Sequence, residues 1–188
     1  MRRGLKRPCR WLVWLLPGLI SLTLQAAEST TTGDYQTPQA FLEEVFGQPL
    51  PAVKTVWLSG ELKQRVESIL GHNYPALRLR YWMQGSRSAW ILEEIGKEKP
   101  ISVGLVIEGE TIERVKVLAF RESRGWEIKY PFFTDQFHGV ALTNGQQLSK
   151  PIDGITGATL SVRAVTRLAR MALLLHAQIT PDQLSRAP

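Results

Sequence analysis

The sequence predicts an α+β fold: N-terminal helices, then an antiparallel β-meander of about four strands, then one long closing helix. Three observations predict it. Apolar residues recur at helical spacing in residues 41–46 and 62–70, and they recur in the same way after residue 160. Between residues 77 and 120 they alternate with polar residues or form short continuous runs. No helix-length crossover separates those runs, so neighbouring strands should be antiparallel.

Charge is distributed unevenly along the chain. The 188 residues carry a formal net charge of +6, but five basic residues lie in the first ten positions and no acid precedes Glu28. Residues 28–188 are therefore nearly neutral, which argues against nucleic-acid binding, because that requires a clustered basic face on the folded part. The hydrophobic fraction of 44% is ordinary for a globular chain.

Residues 1–26 have the layout of an export signal: a basic start, an uncharged apolar run over residues 11–24, and a small-residue exit. Cleavage after Ala26 is predicted. Retention as an anchor is the alternative, although a membrane helix needs about 20 apolar residues. In either case the remainder is expected in the periplasm or on the outer face of the cytoplasmic membrane. Cys9 is the single cysteine, so the exported part can form no disulfide.

The folded domain is predicted over residues 37–188, after a polar linker at residues 27–36. Thr37 followed by Pro38 is typical of a helix start, because threonine caps free backbone amides and proline fits the first helical position. Gly47 should end that helix.

Two further elements are predicted before the meander. Residues 53–58 form a short strand candidate, and the apolar spacing over residues 62–70 predicts a second helix that Gly71 closes.

The meander strands are predicted at residues 77–83, 89–95, 101–107 and 111–120. Turn residues separate the first pair at positions 84–86 and the last pair at positions 108–110. Residues 130–139 then predict a short aromatic helix or turn, and residues 141–158 a loop rich in Gly, Pro, Asn and Asp.

The last element is a long helix predicted over residues 160–178. One face is apolar and comprises Val162, Val165, Leu168, Ala169, Ala172, Leu173 and His176. Another face carries Arg163, Arg167 and Arg170. We interpret the arginine face as solvated, with contact to a phosphate or a partner as the alternative.

Enzyme signatures are missing from the sequence. His72, His138 and His176 lie too far apart for a metal-binding motif, and neither a GxSxG elbow nor a phosphate-binding glycine loop occurs. No catalytic residue and no metal ligand is therefore predicted.

The segment at residues 152–161 is more informative, because a loop with two glycines leads directly into the long helix. Unpaired amides and the helix dipole make such a helix start suitable for a phosphate. Thr159 and Ser161 place hydroxyls there, and Gly157 and Ala158 leave the approach open. The alternative is an ordinary N-cap with turn glycines.

The segment Asp153-Gly154-Ile155-Thr156-Gly157-Ala158-Thr159 resembles the flavinylation motif Asp-x-x-Ser/Thr-Gly-Ala-Thr of the FMN-binding domain family. That family includes flavin-carrying subunits of ion-pumping NADH:quinone and ferredoxin:NAD oxidoreductase complexes. The resemblance implies that Thr159 is joined to FMN through a phosphoester. It further implies that a separate flavin transferase, using FAD and Mg²⁺, makes this bond and releases AMP. The implied cofactor-binding residues of this motif are Asp153, Gly154, Thr156, Gly157, Ala158 and Thr159.

Two weaker segments precede the motif in the order that the family shows. Residues 122–126 resemble an acidic, glycine-containing loop beside the flavin, which implies flavin contacts for Glu122, Gly125 and Trp126. Residues 133–139 resemble a short aromatic segment. Aromatics in both could cover the flavin ring, or could simply pack in the core.

These inferences predict an exported electron-transfer flavoprotein with covalent FMN, rather than a stand-alone enzyme. Its expected partners are the flavin transferase and a membrane-bound or periplasmic redox partner. Two alternatives remain open: a domain that binds FMN or another phosphate ligand reversibly, and a flavin-free exported interaction protein.

Overall fold

The computed structural model describes residues 33–184, so the predicted export signal lies outside the described residues, as does most of the linker. The helices are α1 (Pro38–Phe46), α2 (Gly60–Leu70), α3 (Pro131–Thr134) and α4 (Thr159–Leu184). The strands are β1 (Lys54–Trp57), β2 (Arg78–Gln84), β3 (Arg87–Ile95), β4 (Pro100–Glu108) and β5 (Thr111–Phe120). The α+β prediction is confirmed.

The sheet has five antiparallel strands in the order β1-β2-β3-β4-β5. The predicted meander corresponds to β2–β5. The short strand predicted at residues 53–58 becomes the fifth member, because β1 pairs with the outer side of β2. Tight turns join β2 to β3 and β4 to β5, and each contains a glycine with positive φ, Gly85 and Gly109.

Helices cover both faces of the sheet. α4 packs on one face together with α2, and α1 packs on the other. All residues from Ile101 to Ile107 of β4 are consequently buried. Gly104 lets α1 approach closely, because a Cβ at this position would lie 2.6 Å from the ring of the buried Phe41.

The helix termini agree with the sequence signals. Thr37 Oγ1 accepts a hydrogen bond from the Ala40 N–H at 3.1 Å, as an N-cap does. Gly71 adopts a φ of +79° and ends α2 in the left-handed region. α4 begins one residue before the predicted start, at Thr159, and extends past residue 178 to Leu184.

The apolar face predicted for α4 is buried, except that Val162 is half-buried. His176 is buried within that face, where its Nδ1 lies 2.7 Å from Ser88 Oγ. Burial lowers the pKa of His176, so its neutral form is favoured there.

Within residues 33–184, no cluster of three or more His, Cys, Asp or Glu side chains is suited to hold a metal ion. Over the same residues, no helix has the length and hydropathy needed to cross a membrane.

Candidate functional site

The loop at residues 122–126 packs directly against the start of α4. Gly125 has a φ of +91°, which favours glycine, and a Cβ there would lie 2.7 Å from Ser161 Oγ and 3.3 Å from Ala158 Cβ. Two segments singled out separately in the sequence are therefore in contact. Only a residue without a side chain fits between them.

The aromatic segment holds the other end of the motif. Gln136 Oε1 accepts a hydrogen bond from the Asp153 N–H at 2.7 Å. Lys150 Nζ donates to the His138 carbonyl at 3.0 Å. These two hydrogen bonds fix the path of the chain into the motif. Gln136 and Lys150 were not among the site residues predicted from the sequence, because their partners are distant along the chain.

The motif loop alternates between anchored and exposed positions. Ile152 and Ile155 pack against the main core, and Ala158 is buried. The Ala158 N–H donates to the Ile155 carbonyl at 2.9 Å, which closes a tight turn around Thr156 and Gly157. The remaining motif residues are all exposed: Asp153, Gly154, Thr156, Gly157 and Thr159. A partner protein could contact these exposed residues without unfolding the loop.

Thr159 is the first residue of α4 and is exposed. The first helical hydrogen bond runs from the Val162 N–H to the Ala158 carbonyl at 2.9 Å, so Ala158 occupies the cap position. The Thr159 hydroxyl forms no hydrogen bond with any residue in the described part of the chain. The N-cap alternative is therefore not supported for Thr159, nor for Ser161, which is buried against Gly125.

The start of α4 is electrostatically suited to an anion. The amides of Thr159, Leu160 and Ser161 precede the first residue that can donate within the helix. The dipole of this 26-residue helix adds partial positive charge at the same end. The first turn contains no acidic residue that would compete for these amides.

Glu122 makes contacts that the sequence did not predict. Its Oε1 accepts backbone N–H groups from Lys97, Glu98 and Lys99 at 2.6, 2.6 and 2.9 Å. Burial raises the pKa of this carboxyl, but the three hydrogen bonds outweigh that effect and leave the pKa lowered. Glu122 thus stabilises the turn between β3 and β4, and this oxygen is not free for a ligand.

The aromatic residues divide into two groups. Phe133 and Phe137 are fully buried in the core. Tyr35, Trp126, Tyr130 and Phe132 are each at least 40% exposed, and we call them the aromatic cluster. Trp126 packs edge-on against Tyr130 at 5.6 Å, and the Lys129 ammonium lies 4.3–5.4 Å from three of the cluster's rings. Trp126, Tyr130 and Phe132 follow Gly125 closely in the chain, and the cluster offers apolar surface to a flat ring.

A groove of about 440 Å³ runs between α2 and α4 and begins at Thr159. α4 contributes Thr159, Val162, Arg163, Thr166, Arg167 and Arg170, and α2 with its cap contributes Ser68, Ile69 and Gly71. The sequence placed the arginines on one helix face. It did not indicate that α2 forms a groove with them, because the docking of α2 is a long-range contact.

Comparison with protein families identifies this region. The model of the FMN-binding domain family matches residues 96–174, from the turn after β3 into α4. The matched stretch contains every site residue predicted above, and it confirms the resemblance. Residues 96–174 are thus similar to the FMN-binding domain family, whereas β1–β3, which belong to the same sheet, precede the matched stretch. Neither the curated proteins nor the solved structures compared with the chain give a match.

Proposed function

We propose that the FMN-binding domain matched at residues 96–174 carries its FMN on Thr159 through a phosphoester and serves as an exported electron carrier. One observation carries this proposal. An exposed threonine hydroxyl, free of any partner in the described part of the chain, stands at the N-terminus of a long helix inside the matched stretch.

Thr159 supplies the nucleophilic oxygen in the attachment reaction. Its Oγ forms a bond to the phosphorus of the FMN half of FAD, the phosphoanhydride bond breaks, and AMP departs while the hydroxyl proton is released. A flavin transferase with Mg²⁺ provides this chemistry. A phosphodiester on Thr159 would keep one negative charge beside the amides of α4, an arrangement that stabilises a helix by about 0.3–1 kcal/mol.

Asp153 is the second residue assigned to attachment. Its backbone is held by Gln136, whereas its carboxylate is exposed and has no hydrogen bond to any described residue. A carboxylate that shaped the loop would accept amide protons from it. The free carboxylate favours recognition by the transferase, or a contribution to binding the transferase's metal ion.

FMN supplies one- or two-electron chemistry when bound, and the chain supplies position and electrostatics. The aromatic cluster offers apolar surface to one face of the ring system, since aromatic rings favour stacked or edge-on contacts. Lys129 places a positive charge among these rings. Such a charge favours a reduced, anionic flavin.

The proposed compartment follows from the export signal predicted at residues 1–26, which lie outside the described residues. Outside the cytoplasm a freely dissociating cofactor would be lost by diffusion, and a covalent bond prevents this loss. The electron donor or acceptor would be a membrane-embedded or periplasmic redox protein.

Intact-mass measurement after co-expression with a flavin transferase tests the proposal. The expected mass increase is that of FMN less one water, and peptide mapping should place it on Thr159. The same spectrum reports whether residues 1–26 have been removed. Gel fluorescence after denaturation is the second readout, because only a covalent flavin remains with the unfolded chain.

Two results would contradict the proposal. A yellow protein that loses its flavin on denaturation would indicate reversible FMN binding. A colourless protein after co-expression would indicate a flavin-free interaction protein.

A further inference from the structure

Three arginines form a stripe that leads away from Thr159. Arg163, Arg167 and Arg170 follow it at intervals of four, four and three residues, which keeps all four side chains on one side of α4. At about 1.5 Å per residue, they lie about 6, 12 and 16.5 Å along the axis from Thr159. All three line the groove between α2 and α4. We call them the arginine stripe.

The stripe carries more positive charge than its surroundings neutralise. Arg163 is exposed and has no ion pair with any described residue. Arg167 Nη1 lies 3.7 Å from the buried Glu94 carboxylate, but His72 Nε2 lies closer to the same oxygen, at 2.8 Å. Of the three guanidinium groups, only that of Arg167 therefore lies near a carboxylate within the described residues, and that carboxylate is also paired with a histidine.

Arg170 adds to the imbalance. Its Nε donates to the Gln146 carbonyl at 2.6 Å, which orients the side chain without neutralising it. Burial and the nearby Arg167 charge lower the pKa of Arg170. Like charges held together in a concave surface are unfavourable unless an anion from outside the chain approaches them.

The spacing distinguishes between two kinds of anion. The phosphates of a nucleotide are compact and could contact only neighbouring members of a stripe whose ends lie about 10 Å apart along the axis. Carboxylates along an acidic protein segment could contact all three. A protein that delivers flavin to Thr159 must also cover the surface next to Thr159, and the stripe is part of that surface.

We propose that the arginine stripe is the docking surface for an acidic segment of the flavin transferase. This inference rests on the proposed function, because it requires that Thr159 be the residue the transferase modifies. Complementary charge accelerates and orients the encounter of two proteins. The stripe thereby guides the exposed Thr159 into the transferase's active site.

Steady-state flavinylation of the full chain tests the docking surface. The flavin-free protein is prepared in a host without flavin transferase and mixed with purified transferase, FAD and Mg²⁺. Initial rates are read from intact mass, first with the chain varied at saturating FAD, then with FAD varied at a fixed chain concentration. The variants are Arg163→Gln, which removes a charge, and Arg163→Glu, which reverses it. Arg80→Gln is the matched control, because Arg80 is exposed on β2, outside the groove.

We expect the KM for the chain to rise about threefold for Arg163→Gln and about tenfold for Arg163→Glu at low salt, as for charged groups that steer association. Near 0.5 M salt the electrostatic screening length falls to roughly 4 Å, so these increases in KM should become smaller. The KM for FAD and the kcat should be unchanged, and Arg80→Gln should match the wild type. Circular dichroism melts verify that the variants are folded.

Three outcomes would overturn the docking surface: an unchanged KM for the chain, an equal rise for Arg80→Gln, or a rise in the KM for FAD alone. The last would assign the stripe to the nucleotide's phosphates. Failure of the proposed function is distinguishable from these, because the wild-type chain itself would then gain no flavin on Thr159.

Discussion

Replacing Gly125 with alanine tests whether protein stability and flavin loading depend on the close contact between the loop at residues 122–126 and the start of α4. The new Cβ would lie 2.7 Å from Ser161 Oγ and 3.3 Å from Ala158 Cβ. It would also force a non-glycine residue into a φ of +91°. The left-handed conformation costs about 1–2 kcal/mol for an L-residue. Overpacking a filled site costs about 1–3 kcal/mol more. We therefore expect Gly125→Ala to lower the free energy of unfolding by about 2–5 kcal/mol.

Two matched variants separate these contributions. Gly139 also has a positive φ, +71°, but a Cβ there would meet no atom of residues 33–184 within 4 Å. Gly139→Ala should therefore report the backbone term alone, about 1–2 kcal/mol. Adding Ser161→Ala to Gly125→Ala removes the oxygen in closest contact, so part of the loss should be recovered relative to the sum of the single variants.

Urea denaturation followed by circular dichroism measures five proteins: the wild type, the single variants Gly125→Ala, Gly139→Ala and Ser161→Ala, and the double variant. Intact mass measures flavin loading of the folded fraction. We expect loading of Gly125→Ala to fall as well, because the displaced Ala158 immediately precedes Thr159. If Gly125→Ala destabilises the protein no more than Gly139→Ala does, the contact between loop and helix is not tight and the reasoning is refuted.

Four further variants test individual residues. Thr159→Val should abolish covalent flavin with less than about 0.5 kcal/mol change in stability, since this residue is not the cap; retained flavin, or its loss in the control Thr156→Val, would place the attachment elsewhere. Asp153→Ala should slow flavin loading while circular dichroism stays native, and a normal loading rate would exclude a role in attachment. Trp126→Leu should increase the fluorescence intensity and lifetime of the bound flavin, because indole quenches by electron transfer; unchanged emission would mean that the ring lies elsewhere. Glu122 has a lowered pKa in the folded state, so its contribution to stability is present above the ordinary carboxyl pKa and is lost as the pH falls through the lowered value. Glu122→Gln should therefore flatten the loss of unfolding free energy with acid, and an unchanged pH profile would contradict this.

Elements defined by local contacts were predictable. The Thr37 cap and the Gly71 terminus were identified from residue type and position, because capping involves neighbours within one turn. The four meander strands were identified because adjacent antiparallel strands need only short turns. β1 was predicted as a strand, but its place at the edge beside β2 depends on pairing across α2.

The candidate site was only partly predictable. The motif at residues 153–159 was recognised by its residues, and the match to the FMN-binding domain family agrees. The contacts of Glu122 were not foreseen, because its partners at residues 97–99 precede it by more than 20 positions. The burial of the aromatic residues between positions 130 and 139 was ambiguous for a similar reason. Whether Phe133 is buried and Phe132 exposed depends on how the segment docks on β5.

The order of residues alone specifies the helix and strand segments and the glycine-rich start of α4, because backbone propensity and capping act over a few residues. It also determined the chemical identity of Thr159 and the uneven distribution of charge. Three contacts depend on the folded arrangement: Gly125 lies against Ser161, Gln136 accepts a hydrogen bond from the Asp153 N–H, and α2 forms a groove with the arginines of α4. These contacts join residues that are distant in sequence. Their geometry is set by how the core packs, and no local pattern records it.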